Sequence, residues 1–236
     1  MAEHKIGKHD ASPIAEAYRK VRTNLQFMNL DNDLKKVMVT SAGPSEGKSS
    51  VTGNLGLSLA GAGHKVLIID CDFRKPRQHR FFGVSNAVGA MEVLLGEETV
   101  SEVIQKTEEE HLDLLTTGQI PPNPSEVLGS KRFVDMISEL ESDYEFILFD
   151  TPPVGMVTDA AVLSRMVDGT ILVAAVGHED IRGLEQAKIQ LEDVGGKILG
   201  VIMNKVPVDE GGYYGYIYNH YYYGDKQKGR RRRRND

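Results

Sequence analysis

Residues 36–50 read KVMVTSAGPSEGKSS, and this stretch decides the fold. Its first six residues, KVMVTS (36–41), are rich in β-branched and apolar side chains and read as a strand. A Gly-rich turn follows, then a helix that runs to about Gly61. The turn, AGPSEGKS (42–49), matches the Walker A form in which Ala as well as Gly may stand first. Small residues let backbone N–H groups curl around a phosphate, and the helix beginning there adds the positive end of its dipole. Lys48 reaches the β- and γ-phosphates of a nucleotide, and the Ser49 hydroxyl ligates Mg²⁺. Gly43, Pro44, Ser45, Glu46, Gly47, Lys48, Ser49 and Ser50 are therefore candidate nucleotide-binding residues, with ATP and Mg²⁺ the expected ligands. A Gly-rich turn with a chance Lys-Ser is the alternative. The strand before it and the helix after it argue against that.

Outward from this point, short apolar runs alternate with helical ones. KVLIID (65–70), LDLLTT (112–117), EFILFD (145–150), GTILVAAV (169–176) and KILGVIMN (197–204) read as strands. Residues 13–30 read as a helix with Ile14, Ala17, Val21, Leu25 and Met28 on one face. Two short helical stretches fall around 89–106, and further helices span 125–142, 158–167 and 180–195. Runs of Val, Ile and Leu without alternation mean strands buried on both faces. With helices between them, they predict an α/β fold: a doubly wound, mostly parallel sheet flanked by helices. The expected division is a flexible N-terminus (1–12), one domain (13–205) and a flexible tail (206–236). Ligands of such sheets bind outside the carboxyl ends of the strands.

Two of those ends are acidic. LIIDCDFRKP (67–76) carries Asp70 and Asp72 two residues apart, so in extended chain both carboxylates face one way. FILFDTPP (146–153) carries Asp150 after four apolar residues, the Walker B form of an aspartate that holds Mg²⁺ directly or through water. One or two carboxylates suffice for Mg²⁺, so a third is free to take a proton from a nucleophile. The competing reading of Asp70 and Asp72 is a helix cap plus a surface charge.

The 236 residues, 40% of them hydrophobic, suit one α/β domain better than two. The net charge of −6 hides an asymmetry: residues 225–236 hold seven basic and two acidic side chains, a net of +5 on a body of −11. An anionic partner for the tail, or simple solubility of a disordered end, both fit this run. The single cysteine, Cys71, excludes an internal disulfide and fits a reducing compartment. No apolar run approaches the ~20 residues that span a bilayer, and MAEHKIGKHDASP (1–13) has no apolar signal core. A cytoplasmic chain is expected. Seven histidines show no zinc spacing.

AGPSEGKS, LIIDCDFRKP and FILFDTPP together resemble the bacterial tyrosine kinases that control capsule and exopolysaccharide synthesis. The family pattern is a Walker A, a D-x-D-x-R motif and a Walker B. GQIPPNPSEVLGS (118–130) and EAYRKVRTN (16–24) look like family segments too. The resemblance implies a P-loop ATPase fold and an ATP- and Mg²⁺-dependent autokinase of the free-standing cytoplasmic type. It implies that Lys48 and Ser49 bind phosphate and Mg²⁺, that Asp72 and Asp150 position Mg²⁺ and its waters, and that Asp70 is the base for the incoming tyrosine. Arg74 completes the motif, at a phosphate or across an interface. Glu16, Arg19 and Arg22 match an E-x-x-R-x-x-R pattern used for subunit contacts in a ring, against the alternative of a solvated helix face. A membrane protein that activates the kinase and recruits it to the inner face of the membrane, and a cognate tyrosine phosphatase, are the implied partners. Gly43 stands where some partitioning-type ATPases carry an extra lysine, which counts against a nucleotide-gated switch of that kind.

The tail holds seven of the nine tyrosines: Tyr213, Tyr214, Tyr216, Tyr218, Tyr221, Tyr222 and Tyr223. Adjacent pairs and triplets broken by glycines fit no single buried face. Beside kinase motifs they read as phosphate acceptors; a stacking tail is the alternative. From Lys205 to Tyr213 the chain reaches at most about 27 Å, so delivery to a neighbour's site is easier than a tight bend into its own. Asn204, at a strand end, suits a contact with adenine or simply a turn. Two rivals remain: a P-loop ATPase switch that recruits partners without phosphorylating protein, and an adaptor using its basic end. The lack of basic clusters on the acidic body speaks against nucleic acid.

Overall fold

The computed structural model describes residues 5–7, 10–29, 34–177 and 181–207. Strand β1 (Lys36–Ser41) is buried along almost all its length and lies mid-sheet, parallel to β5 (Phe146–Asp150) on one side and to β6 (Gly169–Ala175) on the other. Beyond β5 lie β2 (Val66–Asp70), β4 (Leu112–Leu115) and the two-residue β3 (Gln105–Lys106); beyond β6 lies β7 (Ile198–Asn204). Among the described residues the seven strands form one sheet, with every neighbour pairing parallel except β3 against β4.

Side-chain alternation along these strands divides the interior into two cores. Val37, Val39, Ile68 and Leu148 face α1 (Pro13–Asn29), α2 (Lys48–Ala60) and α3 (Gln78–Phe82), where Leu25, Leu55 and Phe81 meet them. Met38, Ile69 and Phe149 face the other way. That side is covered by α4 (Ala90–Leu95), α5 (Val100–Val103), α6 (Pro124–Leu128), α7 (Lys131–Leu140), α8 (Asp159–Leu163) and α9 (Ile181–Asp193). Burying each such Leu, Ile or Phe contributes about 1.5–3 kcal/mol. The doubly wound parallel sheet expected from the apolar runs is the observed one, except that β7, an edge strand, is not buried on both faces and leaves Val201 and Met203 exposed.

The topology places the site. From β1 the chain crosses through α2, on one face, to β2; from β5 it crosses through α8, on the opposite face, to β6. Neighbouring strands whose connections leave to opposite faces open a crevice at their carboxyl ends. The Walker A loop follows β1, and Asp150 ends β5.

Several elements differ from expectation. On α1 the buried residues are Ala15 and Leu25, with Tyr18 and Val21 packed beside them; Ile14 and Met28 are exposed. The stripe is rotated because α1 lies on α2, to whose Ser58 carbonyl Arg22 Nη1 donates at 2.7 Å. The helix expected over 125–142 breaks at Gly129, and Ser130 caps α7 by accepting from the Phe133 N–H. The helix expected over 158–167 shortens to Asp159–Leu163, and α3 and β3 were not foreseen. The N-terminus is not wholly loose: Ile6 is buried, and its N–H donates to Asn54 Oδ1 at 2.9 Å. The compact unit ends at Asn204; of the unit from Lys205 onward only residues to 207 are described, so the expected tail lies almost wholly outside them.

Candidate active site

The Walker A loop is held from behind. Glu46, only 1% exposed, turns its carboxylate inward: Oε1 accepts from the Gly43 N–H at 2.6 Å and Oε2 from the Ala175 N–H at 3.0 Å. Asn204 Nδ2 donates to the Glu46 carbonyl at 2.9 Å. Both side chains had been expected at the nucleotide; here they brace the loop against the ends of β6 and β7. Gly47 has φ +95°, and a Cβ there would lie 2.2 Å from Asn204 Nδ2, so any other residue would meet both a strained backbone and the Asn204 amide. Helix α2 begins immediately after, at Lys48, with its first N–H groups toward the loop.

Two of the three aspartates, Asp72 and Asp150, converge on Lys48. Its Nζ lies 3.0 Å from Asp72 Oδ2, 4.0 Å from Asp150 Oδ1 and 3.5 Å from Ser49 Oγ. Asp70 and Asp150 are register partners on adjacent strands, and neither has exposed surface. Asp70 is saturated by backbone. Oδ1 accepts from the Asp72 N–H at 3.2 Å, and Oδ2 from the N–H groups of Arg77 and Gln78, each at 2.8 Å. Burial, then the Asp150 charge, push its pKa up to about 8, against the pull of the Gln78 and Arg77 N–H groups. Burial also raises Asp150, against the Lys48 cation. Burial alone would lower Lys48, but Asp150 and Asp72 outweigh it and raise it.

The expected role of Asp70 as the base that meets an incoming hydroxyl does not match this conformation. The segment from Asp72 to Gln78 covers it, and a hydroxyl touches it only after that segment shifts. Arg74 also differs from expectation, being committed within the subunit. Nε and Nη2 form a fork on Asp159 Oδ2 and Oδ1 at 2.9 and 3.0 Å, and Ser125 Oγ donates to the same carboxylate. This links the D-x-D-x-R segment to the starts of α8 and α6. Arg74 retains 42% side-chain exposure, while Asp159 has none.

Three contributors escaped the sequence reading: Gln78, Asp159 and Ser125. Gln78 Nε2 donates to the Ser49 carbonyl at 3.0 Å and to Asp150 Oδ2 at 2.8 Å. Gln78 and Asp159 stand in no quoted motif, whereas Ser125 lies within the family-like segment GQIPPNPSEVLGS (118–130). Glu16, Arg19 and Arg22 also find partners inside the subunit: Arg19 Nη1 donates to Glu16 Oε2 at 3.0 Å, and Arg22 to α2. The seven tail tyrosines lie outside the described residues. A cavity of about 520 Å³ lined by Gln26, Lys35, His64, Tyr144 and Glu145 opens at the amino ends of the strands, away from the Walker A loop.

The donor set fits Mg²⁺. Asp150 Oδ1 is buried without a hydrogen-bond partner, and Asp72 Oδ2 and Ser49 Oγ both face Lys48 Nζ beside it. Among the described residues no three His, Cys, Asp or Glu side chains form a metal cage. Mg²⁺ needs none, since one or two carboxylates with phosphate and water complete its shell. Among those residues no helix is long and apolar enough to cross a membrane.

An AAA domain model matches residues 35–198. The tyrosine-protein kinase YwqD of Bacillus subtilis (strain 168) is 42% identical over 202 residues, 86% of this chain and 85% of its own. The kinase domain of the Escherichia coli tyrosine kinase ETK superposes with a TM-score of 0.82 at 36% identity, covering 86% of this chain and 80% of that one. MinD from Pyrococcus horikoshii, complexed with Mg-ADP, gives 0.63 at 26% identity over 75% and 72% of the two chains. Similarity of this extent to tyrosine-protein kinases, joined to the motifs and the crevice that gathers them, settles the relationship: the chain belongs to the bacterial tyrosine kinases of capsule and exopolysaccharide synthesis.

Proposed function

We propose that the chain transfers the γ-phosphoryl group of ATP to tyrosines of its own C-terminal cluster, presented by a neighbouring subunit, and so regulates capsule or exopolysaccharide synthesis and export. The observation that carries this reading is the convergence of Lys48, Asp72 and the Asp150 oxygen that accepts no hydrogen bond at the mouth of the Walker A loop. The bond from the γ-phosphorus to its bridging oxygen breaks, a bond to the phenolic oxygen forms, and the phenolic proton passes to a carboxylate. The loose transition state asks for positioning and charge neutralisation more than for a strong nucleophile. Lys48 leaves Asp72 for the phosphates when ATP enters. Ser49, Asp72 and Asp150 would hold Mg²⁺, which supplies positive charge at the phosphate oxygens. The loop's N–H groups and Lys48 orient the donor.

The proton goes to the ionised form of Asp70, which a pKa of about 8 makes the minor form below pH 8, once the 72–78 segment shifts. The burial of Asp70 favours a second assignment, with Asp72 as acceptor and Asp70 as the anchor of that segment. The pH profiles of the Asp70→Asn and Asp72→Asn variants separate the two. The acceptor's variant loses the acidic limb of the rate profile, whereas the other's keeps it.

A ring of subunits, an activating membrane protein that recruits the kinase to the inner face, and a tyrosine phosphatase complete the proposal. The test mixes a Lys48→Met chain with an active chain lacking its tail. Mass gains of about 80 Da per site on the Lys48→Met tail are expected, since a phosphoryl group replaces a proton. Phosphate release without such gains would instead mean an ATPase switch. The assay includes the activator's cytoplasmic segment.

A further inference from the structure

Gln78 opens α3 and has no exposed surface. Both N–H bonds of its amide are spent on the phosphate site, at Ser49 O and Asp150 Oδ2, and its backbone N–H is spent on Asp70 Oδ2. One residue thus ties together the first turn of α2, the end of β2 and the end of β5. The tie also decides how Asp150 stands. With Oδ2 committed to the amide, Oδ1 is the oxygen left buried without a hydrogen bond, ion-paired with Lys48 Nζ at 4.0 Å. A carboxylate without such a tether could rotate and present either oxygen.

We propose that Gln78 is a positioning residue for the metal–nucleotide complex. By holding Asp150 Oδ2 and the Ser49 carbonyl together, it keeps Asp150 Oδ1 and Ser49 in the one relative placement that accepts Mg²⁺ with a nucleotide. This rests on the kinase reading only in taking Asp150 and Ser49 as the Mg²⁺ site. An amide supplies both donors the place needs, at the cost of leaving its own Oε1 buried without a hydrogen-bond partner. A carboxylate at 78 would set a fourth acidic group among Asp70, Asp72 and Asp150. Leucine would leave Asp150 Oδ2 and the Ser49 carbonyl without their donor, and asparagine is one methylene short of reaching both.

The test measures binding alone. Full-length wild type, Gln78→Leu and Gln78→Asn are titrated with fluorescent ADP in EDTA and at rising free Mg²⁺. Loss of a group that orients a metal ligand typically costs about 10–100-fold in metal affinity. The Mg²⁺ concentration that half-saturates the gain in ADP affinity is therefore expected to rise at least tenfold in both variants, well beyond any change in affinity in EDTA. Gln78→Asn keeps a polar group of similar size and decides the matter if Gln78→Leu does not fold. An unchanged Mg²⁺ midpoint, or equal loss with and without Mg²⁺ as a merely structural residue would give, overturns the proposal. Wild type that binds Mg-ADP yet labels no tyrosine would defeat the kinase reading and leave this one standing.

Discussion

The Lys48 ammonium lies 3.0 Å from Asp72 Oδ2 and 4.0 Å from Asp150 Oδ1, so the lysine of the Walker A loop neutralises the carboxylates beside it. Both partners are nearly enclosed, which makes this a buried rather than a surface pair. Lys48→Met should therefore do two things. Nucleotide affinity should fall at least about 100-fold, the scale of two lost charge-assisted hydrogen bonds. The variant should also be less stable at pH 8 than at pH 5 relative to wild type, because protonation relieves the stranded carboxylates. Thermal melts at the two pH values check this; equal losses at both would contradict it.

Asp70 makes a separate pH prediction. Its folded pKa of about 8 lies above the unfolded value of 3.8, so the folded state holds a proton that the unfolded state releases. Between those values stability falls as pH rises, by at most about 1.4 kcal/mol per pH unit for one proton, and levels off above pH 8. Asp70→Asn should flatten that slope in urea melts between pH 5 and 8. An unaltered slope would assign the proton elsewhere.

Gly47 and Asn204 should behave as a coupled pair. Gly47→Ala meets the positive φ, worth about 1–2 kcal/mol, and the Asn204 amide as well. In an Asn204→Ala background the second penalty disappears, so the cost of Gly47→Ala should drop by about 1 kcal/mol or more, a coupling expected of residues in contact. Additive losses in a double-mutant cycle would refute the contact.

Arg22 should be structural whatever its role between subunits. Its Nη1 donates to the Ser58 carbonyl, so Arg22→Glu should cost the subunit about 1–3 kcal/mol through an acceptor stripped of its donor. Arg19 pairs with Glu16 and donates to the Asp10 carbonyl, so it too holds the subunit while probing assembly. Arg19→Glu should lower the mass seen by light scattering at a temperature well below the variant's own melting point. An unchanged mass would remove this face from the ring.

What could be read from the residues alone follows from how local each signal is. The Walker A loop carries its chemistry within eight consecutive residues, and Asp70 and Asp150 announce themselves by ending apolar runs. Gln78 acts on Asp150, 72 positions away, and Arg74 on Asp159, 85 away; only the sheet order brings them together. Glu46 was placed at the phosphates because its neighbours belong there. Its inward turn depends on the Ala175 N–H, 129 residues on. The α1 stripe was misjudged because Ile14 and Met28 share helical spacing with true core positions, and only the packing on α2 chooses among faces. The break at Gly129 was visible in principle, a glycine followed by a serine able to cap the next helix.

Strand β1 has no partner before Phe146, since its neighbours are β5 and β6. During synthesis from the N-terminus, the about one hundred residues between β1 and β5 take roughly 5–20 s to follow. For that time the strand that will end mid-sheet waits with both edges open, a call for chaperone cover that a truncated nascent chain should reveal. The struts behind the Walker A loop come later still, since Ala175 and Asn204 follow β5 in the chain. A translation product interrupted before Ala175 would therefore carry the Walker A loop with neither strut behind it.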